Sequence, residues 1–503
     1  MPSRSKPRSE LRSEPQSEPR PEPRSEPRSE PQSEPRPSGS DRLRICAGAW
    51  RSLTVAALIR PARARFSAAV SIGPAPRAAL VVAALSFAGA PLVFADDPPW
   101  TELVVADSLK GWVQRGGHAT YAVENGEIVG RSAADTPNSF LCTEREYGDF
   151  ALEFEVRIDP RMNSGVQIRS HAAAGYRDGV VHGYQVEIDP SDRAWSGGLY
   201  DEQRRGWLAD LKDNAAARQA FKRDDWNQYR VEARGELIRT WINGVPAAEL
   251  RDGLARYGFI ALQVHATKET APIEVRWRKL RIQDRGVPGR APPAGATLLL
   301  GLAGDLSHWR SAKHPEGPAP WELKDGALEV KPGSGDIATR EPYGDCALHV
   351  EFAVDDNGQR GQANGNSGVY LQGRYEVQIL NSSGQPPADN VCGAIYGVKA
   401  AEYNLARPAG EWQAYDIEFR APRWDAGGQK TARARLTVYH NGVRIHEEVE
   451  VPGPTGAGAA EAPAAAPLRL QDHGARVRFR NVWIQPGAPP ASGADEAAPA
   501  SRG

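Results

Sequence analysis

The chain has 503 residues, enough for two to four domains that each bury their own core. Its formal net charge is -1, but residues 1–95 hold 15 Lys/Arg against 8 Asp/Glu, which leaves 47 basic and 55 acidic residues in the remainder. A mildly acidic remainder with scattered charges argues against nucleic acid as a partner and against a basic membrane-binding surface.

The N-terminal segment is predicted to contain no folded domain. Residues 1–40 repeat Ser, Glu, Pro and Arg with almost no apolar side chains, so we expect them to be disordered. Residues 41–95 form a basic presequence with an apolar run at 78–90, and they end on Val93-Phe94-Ala95. This layout is typical of a secretory signal peptide cleaved after Ala95, with an uncleaved anchor helix as the alternative.

Export predicts a periplasmic or secreted protein that has no stable membrane insertion after cleavage. About seventy residues of unusual composition precede the apolar run, whereas a signal peptide normally begins near its basic residues. A translation start at a non-Met codon, such as that of Val70, is therefore a second hypothesis.

The rest of the chain carries one set of motifs twice, in the same order. The matching segments are 147–152 with 343–348, 163–166 with 366–369, 226–229 with 412–415, 243–245 with 441–443, 262–265 with 470–473, and 275–278 with 477–480. Ordered internal matches indicate a duplicated domain. We place the copies at 98–285 and 297–486, joined by the Gly/Pro/Ala-rich linker 286–296 and followed by a disordered tail at 487–503.

Each copy is predicted to be all-β. Apolar and polar residues alternate through 150–158 and 348–354, which is the pattern of strands with one buried face. Asn-Gly pairs at 243–244 and 441–442 predict tight hairpins. About 190 residues of short strands per copy suit a two-sheet sandwich or jelly roll.

Three local features complete the fold prediction. A short helix is expected at 214–221, capped by Asp213 or Asn214. In the last strand of each copy the apolar positions change parity, after Trp277 and after Phe479, which predicts a β-bulge. Cys346 and Cys392 could form a disulfide bond within one domain in an oxidising compartment, but their spacing leaves the geometry open.

The motifs of the second copy resemble those of the 3-keto-disaccharide hydrolase family. They are Arg340-Glu341 with 343–345, then 366–369, 375–379, 393–396, 470–474 and 477–481, and the first copy resembles a variant with 197–201 running into 205–208. The resemblance implies two tandem concanavalin-like sandwiches in an exported bacterial protein. It also implies cleavage of a glycoside whose glucose unit is oxidised at C3.

That chemistry sets requirements for a site. A C3 ketone acidifies the C2 hydrogen, so a base can remove it and the C1 substituent can leave, with water added later. Such a site needs a general base, a donor for the enolate oxygen and an acid for the leaving group. The implied partner is a carbohydrate, either an oxidised glucoside or an oligosaccharide.

Strand alternation selects the candidate residues, because polar side chains two positions apart share a face. The catalytic candidates are Glu376, His473, Asp472, Glu187 and His265. The substrate-binding candidates are Gln378, Gln471, Arg478, Asn366, Gln185, Gln263, Arg276 and Trp207. Val264 replaces Asp472 in the first copy, so that copy could be limited to binding.

Several alternatives stay open for these residues. A solvated strand face, a structural histidine and solvated arginines are the ordinary explanations for such side chains. A glucanase of the same fold requires a pair of carboxylates on one strand face, and the nearest approach to this pattern, at 187–192, is interrupted by Pro190. A non-catalytic carbohydrate-binding protein is therefore the stronger rival. No cofactor is identified, and Ca²⁺ is possible in the acidic loops without a specific signal.

Overall fold

The computed structural model describes residues 97–105, 108–301 and 304–487. The predictions for the N-terminal repeat, the signal peptide and residues 488–503 therefore lie outside the described residues. Within the described part, no helix has the length and apolar character needed to span a membrane.

The first copy is a sandwich of two antiparallel sheets. Its strands are β1 (Thr101–Glu102), β2 (Trp112–Gly116), β3 (Thr120–Glu124), β4 (Glu127–Arg131), β5 (Ser139–Tyr147), β6 (Asp149–Ile158), β7 (Ser164–His171), β8 (His182–Ile188), β9 (Leu199–Glu202), β10 (Gly206–Ala209), β11 (Asn227–Arg234), β12 (Leu237–Ile242), β13 (Val245–Arg251), β14 (Gly258–Val264) and β15 (Glu274–Gly286). An eight-stranded sheet has the order β13-β12-β11-β6-β15-β4-β3 with β1 beside β15, and a seven-stranded sheet has the order β10-β9-β8-β7-β14-β5-β2.

The second copy repeats this plan with five strands instead of seven in its smaller sheet. They are β16 (Thr297–Leu300), β17 (Trp309–Ser311), β18 (Glu322–Lys324), β19 (Ala327–Glu329), β20 (Ile337–Tyr343), β21 (Cys346–Val354), β22 (Ser367–Leu371), β23 (Tyr375–Ile379), β24 (Gln413–Arg420), β25 (Arg423–Trp424), β26 (Lys430–Ala432), β27 (Ala434–His440), β28 (Val443–Val451), β29 (Ala466–Leu470) and β30 (Val477–Pro486). The order is β18-β19-β30-β21-β24-β27-β28 with β16 beside β30 in a second eight-stranded sheet, and β17-β20-β29-β22-β23 in a five-stranded sheet; β25 and β26 pair separately.

The alternating segments form the core, as the sequence predicts. Phe150, Leu152, Phe154 and Val156 of β6 are almost fully buried between the two sheets of their copy. Each strand places its apolar face inward, where burying a large side chain contributes about 1.5–3 kcal/mol. The all-β, tandem-sandwich prediction is confirmed.

The predicted helix and both bulges are present. α1 spans Ala215–Ala220, and the Asn214 side chain caps it by accepting a hydrogen bond from the Ala217 amide at 3.1 Å. The register of β15 shifts between Arg278 and Arg281, and Lys279 has a positive φ. β30 shifts in the same way around Asn481, so its apolar side chains change from odd to even positions and stay inside.

The disulfide bond that the sequence left open between Cys346 and Cys392 is not formed. Cys346 and Cys392 are both free and buried. Cys346 lies opposite Phe419 on β24, whereas Cys392 Sγ lies 3.1 Å from the Tyr415 hydroxyl. Four residues of extended strand, about 13 Å, separate these two positions, so the cysteines contact different parts of the sheet.

The two copies belong to one compact unit, and their apolar cores are continuous. Ala255 forms a β-bridge with Val443, and the Arg256 amide donates to Gly442 O at 2.7 Å. The linker also packs on the second copy, because Trp483 Nε1 donates to Gly289 O at 2.9 Å. The copies are therefore not independent domains joined by a flexible linker.

Candidate functional site

The Asn-Ser-Gly-Val motif lies at the start of the same strand in both copies, and each of its four residues has a different role. The serine hydroxyl ties this strand to its neighbour: Ser164 donates to Gln263 O at 2.6 Å, and Ser367 donates to Gln471 O at 2.7 Å. The valine points into the core, and the asparagine faces the outer surface of the sheet. The motif therefore places a polar group next to the polar faces of β8 and β23.

The glycine of the motif makes room for those polar faces. A Cβ at Gly165 would lie 2.4 Å from Gln185 Cδ, and a Cβ at Gly368 would lie 2.4 Å from Glu376 Oε1. Any side chain would collide there. Glycine is thus needed because the functional side chain of the next strand lies across it.

In the second copy, the outer face of the five-stranded sheet holds a buried polar cluster. Tyr370 is directly opposite Glu376 in the β22–β23 pairing, and its hydroxyl donates to Glu376 Oε2 at 2.7 Å. Gln471 Nε2 donates to the same hydroxyl oxygen at 3.2 Å. Glu376 and Tyr370 are almost completely buried, and Gln471 Oε1 is a buried acceptor without a partner among the described residues.

Two charged groups complete this cluster. The Arg469 guanidinium stacks 4.0 Å from the centre of the Tyr370 ring and lies 3.4 Å from Asp336 Oδ2. The loop 452–465 closes over the cluster, because Thr455 Oγ1 accepts from the Glu376 amide at 2.7 Å and Ala457 O accepts from Arg469 Nη2 at 2.9 Å.

Burial sets the protonation behaviour of the cluster. Desolvation raises the pKa of Glu376 to about 7, although the Tyr370 hydroxyl and the Arg469 charge favour its ionised form. Desolvation also raises the pKa of Asp336 and that of Tyr370. A carboxylate that exchanges a proton near neutral pH, beside a phenol and a guanidinium, is suited to general base catalysis.

The other predicted residues of the second copy extend the cluster. Gln378 Nε2 donates to Gln362 Oε1 at 3.0 Å, and Asn366 Nδ2 donates to the same oxygen at 3.0 Å. The opposite orientation of the Gln378 amide would place its nitrogen 3.2 Å from Glu376 Oε1. The structure therefore brings together four predicted residues, namely Glu376, Gln378, Gln471 and Asn366.

The first copy places an equivalent set on the outer face of its seven-stranded sheet. Leu262 pairs with Val166 as Leu470 pairs with Val369, which fixes the correspondence between the sheets. By this register Gln185 occupies the position of Glu376, while Glu187 occupies that of Gln378. The carboxylate of the first copy therefore lies two residues further along its strand than that of the second copy.

Glu187 is held by three donors. Its Oε1 accepts from Asn163 Nδ2 at 2.7 Å and from Arg193 Nη2 at 2.9 Å, and its Oε2 accepts from Gln185 Nε2 at 3.0 Å. Burial raises the pKa of Glu187, and these donors oppose that effect. The carboxylate is therefore held in a network of protein donors.

Trp207 joins this face through the arginine. The Arg193 guanidinium lies 4.9 Å from the Trp207 ring centre and 5.1 Å from that of Trp195. Tyr200 packs edge-on against Trp207, and all three rings are partly exposed. The first copy therefore combines the predicted Glu187, Gln185, Gln263 and Trp207 with an aromatic surface.

Three predicted catalytic residues lie at the margin of these faces. Asp472 accepts hydrogen bonds from the backbone amides of Gly335 (2.8 Å) and Gly474 (2.9 Å), so it stabilises a turn. His473 is exposed on that turn. His265 is partly exposed, with Nδ1 2.9 Å from the neighbouring Ala266 O. None of these three contacts Glu376 or Glu187 among the described residues.

Arg276 and Arg478 lie on different sheets from the two polar faces, contrary to their predicted role beside them. Arg276, on β15, pairs with Glu274 at 2.7 Å and with Glu127 at 3.1 Å. Arg478, on β30, lies 3.3 Å from Asp355. Both face outward from the eight-stranded sheets, because they alternate with the buried residues on either side, which are Val275 and Trp277 on β15 and Val477 and Phe479 on β30.

Sequence reasoning missed Tyr370, Arg469 and Asp336. A signal existed for the first two, because Tyr370 lies two residues after Gly368 and Arg469 lies two residues before Gln471, so strand alternation places each pair on one face. Asp336 precedes β20 and reaches the cluster only through the pairing of β20 with β29. That pairing is not readable from the chain.

No group of three or more His, Cys, Asp or Glu residues suited to a metal ion occurs within the described ranges. The predicted possibility of Ca²⁺ stays a prediction, because carbonyl oxygens also bind this ion.

Comparison with solved structures gives partial matches of low global similarity. A protein from Parabacteroides distasonis ATCC 8503, provisionally described as a glycosyl hydrolase, is 34% identical over 39% of this chain and 85% of its own, with a TM-score of 0.36. The carbohydrate-binding module CBM66 from Bacillus subtilis is 15% identical over 35% of this chain and 96% of its own, with a TM-score of 0.26. A lichenase from a mouse hindgut metagenome is 12% identical over 38% of this chain and 99% of its own, with a TM-score of 0.27. A search of curated protein sequences found no match.

A family model describes most of the chain. The 3-keto-alpha-glucoside-1,2-lyase-like domain matches twice, at residues 99–283 and 297–485. These matches cover both sandwiches, including both polar faces. The chain therefore belongs to the 3-keto-alpha-glucoside-1,2-lyase-like domain family, with two copies of the domain in tandem.

Proposed function

We propose that the second copy cleaves 3-keto-glycosides, with Glu376 as the general base. The observation that carries this proposal is the buried Glu376–Tyr370–Gln471 cluster, in which the carboxyl group has a pKa of about 7. A base with this pKa is half ionised at neutral pH, where it combines availability with proton affinity.

The proposed step removes the hydrogen at C2 of the sugar. Glu376 takes the C2 proton, the electrons of that bond form the C1–C2 double bond, and the C1–O bond breaks. The departing oxygen then takes up the proton that Glu376 carries, so the products are an unsaturated 3-keto sugar and the free alcohol. Addition of water to the unsaturated sugar in a later step makes the net reaction a hydrolysis.

Tyr370 and Arg469 supply the remaining requirement of this chemistry. Negative charge develops on the C3 oxygen as the C2 proton leaves, and preorganised donors stabilise such charge in a buried site. The Arg469 guanidinium, stacked on the Tyr370 ring, is the nearest cation to Glu376 in the cluster. Export to the periplasm or beyond, inferred from residues 78–95, is part of the same proposal.

Release of the alcohol from a 3-keto glucoside and from its unoxidised parent tests this proposal on the full chain. We expect release from the keto form alone. Replacing Glu376→Gln keeps the shape of the side chain but removes the base, and should lower the rate by a factor of 10² or more. The matched control is Glu322→Gln, an exposed carboxylate of the same copy that lies on β18.

The outcomes separate the enzyme from its rival. Binding of both sugars without turnover would favour a non-catalytic carbohydrate-binding protein. An unchanged rate in Glu376→Gln would remove this residue from the mechanism. Equal turnover of the parent glycoside would show that the C3 ketone plays no part.

A further inference from the structure

We propose that the first copy is a non-catalytic binding domain for an uncharged pyranose unit of the glycoside. The inference rests on the function proposed for the second copy. It combines two features of the seven-stranded sheet: the charged groups that surround the proposed base in the second copy are replaced, and partly exposed aromatic rings lie beside the polar network of Glu187 and Arg193.

The replacements follow from the strand registers. Tyr370 corresponds to Gln167, because each lies opposite the residue equivalent to Glu376. Arg469 corresponds to Ala261, which pairs with Gln167 as Arg469 pairs with Tyr370. The phenol and the guanidinium beside the proposed base are thus an amide and a methyl group in the first copy.

The third charged group is also absent. Ile337 pairs with Leu470, and Leu141 pairs with Leu262, so Asp336 corresponds to Phe140. Phe140 packs with Cys142 and Ala261 in a small apolar cluster. Three ionisable neighbours have therefore become apolar or neutral on one face, and the position of Glu376 itself is taken by Gln185.

The remaining carboxylate, Glu187, has different partners from those of Glu376. It accepts from Asn163, Arg193 and Gln185, and Gln185 in turn accepts from Gln167 Nε2 at 2.6 Å. Burial raises the pKa of Glu187, as it does that of Glu376, but the donors around Glu187 are a guanidinium and two amides, and no phenol lies beside it as Tyr370 does beside Glu376. The network orders the amides of this face and holds the carboxylate among protein donors.

Gln263 is the observation that points to a ligand. Its side chain is fully buried, and neither its Nε2 nor its Oε1 has a hydrogen-bond partner in the described part of the chain. It follows Leu262, which pairs with Val166, so it lies beside Gly165, over which the Gln185 side chain extends. Leaving both amide groups unpaired costs free energy that a bound ligand can recover.

The chemistry around Gln263 fits the hydroxyl groups and the flat face of a sugar. An amide offers one acceptor and two donor hydrogens, which matches a hydroxyl that both donates and accepts. The partly exposed rings of Trp195, Trp207 and Tyr200 supply an apolar surface next to Glu187 and its arginine. The arginine is paired with Glu187 and Asp189, so its charge is compensated within the protein and the polar groups around the rings suit a neutral ligand.

The test counts binding sites in the full chain after turnover has been removed. In the Glu376→Gln protein, titration with the 3-keto glucoside by calorimetry should give two sites per chain. Adding Trp207→Ala should weaken one of the two sites by a factor on the order of ten. Adding Gln263→Leu, which replaces the amide by an apolar side chain of similar size, should do the same, and circular dichroism should show that both variants fold.

The matched control is Trp226→Ala, which removes a partly exposed tryptophan from the other sheet of the same copy, where it stacks 3.9 Å from Arg278. Two unaltered sites are expected. One site in the Glu376→Gln protein, or two sites unchanged by both first-copy substitutions, would overturn the binding role.

Rates of alcohol release provide a second test of this inference. Loss of nearly all turnover in Glu376→Gln supports a single catalytic copy, whereas retention of about half would show that the first copy also catalyses and would overturn the inference. If the unsubstituted chain releases no alcohol, the function proposed for the second copy fails. The site count and its response to Trp207→Ala would still decide the first-copy inference by itself.

Discussion

At the scale of single residues, the two copies show how one sheet position acquires different chemistry. Glu376 and Gln185 occupy equivalent positions, because Glu376 pairs with Tyr370 as Gln185 pairs with Gln167, but only Glu376 can exchange a proton. Its pKa of about 7 results mainly from burial, and the Tyr370 hydrogen bond restrains that rise. The tyrosine therefore lowers the pH at which Glu376 ionises.

Replacing Tyr370→Phe should shift the pH dependence of the reaction. In the unsubstituted protein kcat/KM should fall tenfold per pH unit below about 7, because only ionised Glu376 accepts the proton. Removal of the hydroxyl takes away a donor that stabilises the carboxylate, so its pKa should rise further and the acid limb should move up by about one pH unit. A pH–rate series measures this shift. A uniformly lower rate with an unmoved limb would mean that Tyr370 does not affect the ionisation of Glu376.

At the scale of elements, the loop 452–465 determines how closely the cluster is covered. Gly456 has a φ of +53°, and a Cβ added there would lie 2.4 Å from Glu376 Oε2. The loop approaches the carboxylate at this point only because glycine has no side chain.

Gly456→Ala should therefore displace either the loop or Glu376. We expect turnover to fall about tenfold and stability to fall by about 1 kcal/mol, the usual cost of a strained φ for alanine. Gly453→Ala is the matched control, because a Cβ there has open space within 4 Å. Equal effects of both substitutions on kcat would show that the approach of Gly456 to Glu376 is unimportant.

The same scale shows what the sequence predicts well. Strand alternation, the repeated motifs and the parity change in the last strands predict the sandwiches, α1 and both bulges, because these depend on neighbours along the chain. The partners Glu376 and Gln378 follow from alternation in the same way. Asp336 does not, because it joins the cluster through strand pairing, and the hydrogen bonds that link Asp472 to Gly335 and Asp336 are equally remote in the sequence.

At the scale of the whole molecule, the junction makes the two copies one unit. Arg256 of the first copy pairs with Glu418 of the second at 2.7 Å and lies against the Tyr439 ring. The Arg407 guanidinium pairs with Glu146 in the opposite direction. Since charged and apolar contacts cross the junction together, substitutions in the full chain are the sound way to separate the roles of the copies.

His349 gives this unit a pH-dependent stability. It is buried on the outer face of the eight-stranded sheet of the second copy, with Nδ1 2.7 Å from Asp416 and Nε2 3.7 Å from Glu351. The ring stacks on Trp483, whose indole donates to Gly289 O in the linker. Burial by itself would lower the pKa of His349, but the two carboxylates outweigh it and raise the pKa to about 9.

The sign of the effect follows from the raised pKa. The folded chain binds the proton more tightly than the unfolded chain, so the stabilisation is complete below about pH 6.5 and is lost as the pH rises through about 9. A rise from 6.5 to about 9 corresponds to roughly 3 kcal/mol. Urea unfolding at pH 6.5 and pH 9.5 should show this loss in the unsubstituted chain, whereas His349→Gln, which cannot be protonated, should be less stable at pH 6.5 and lack most of the difference. The same loss between the two pH values in His349→Gln would assign the pH dependence to other groups.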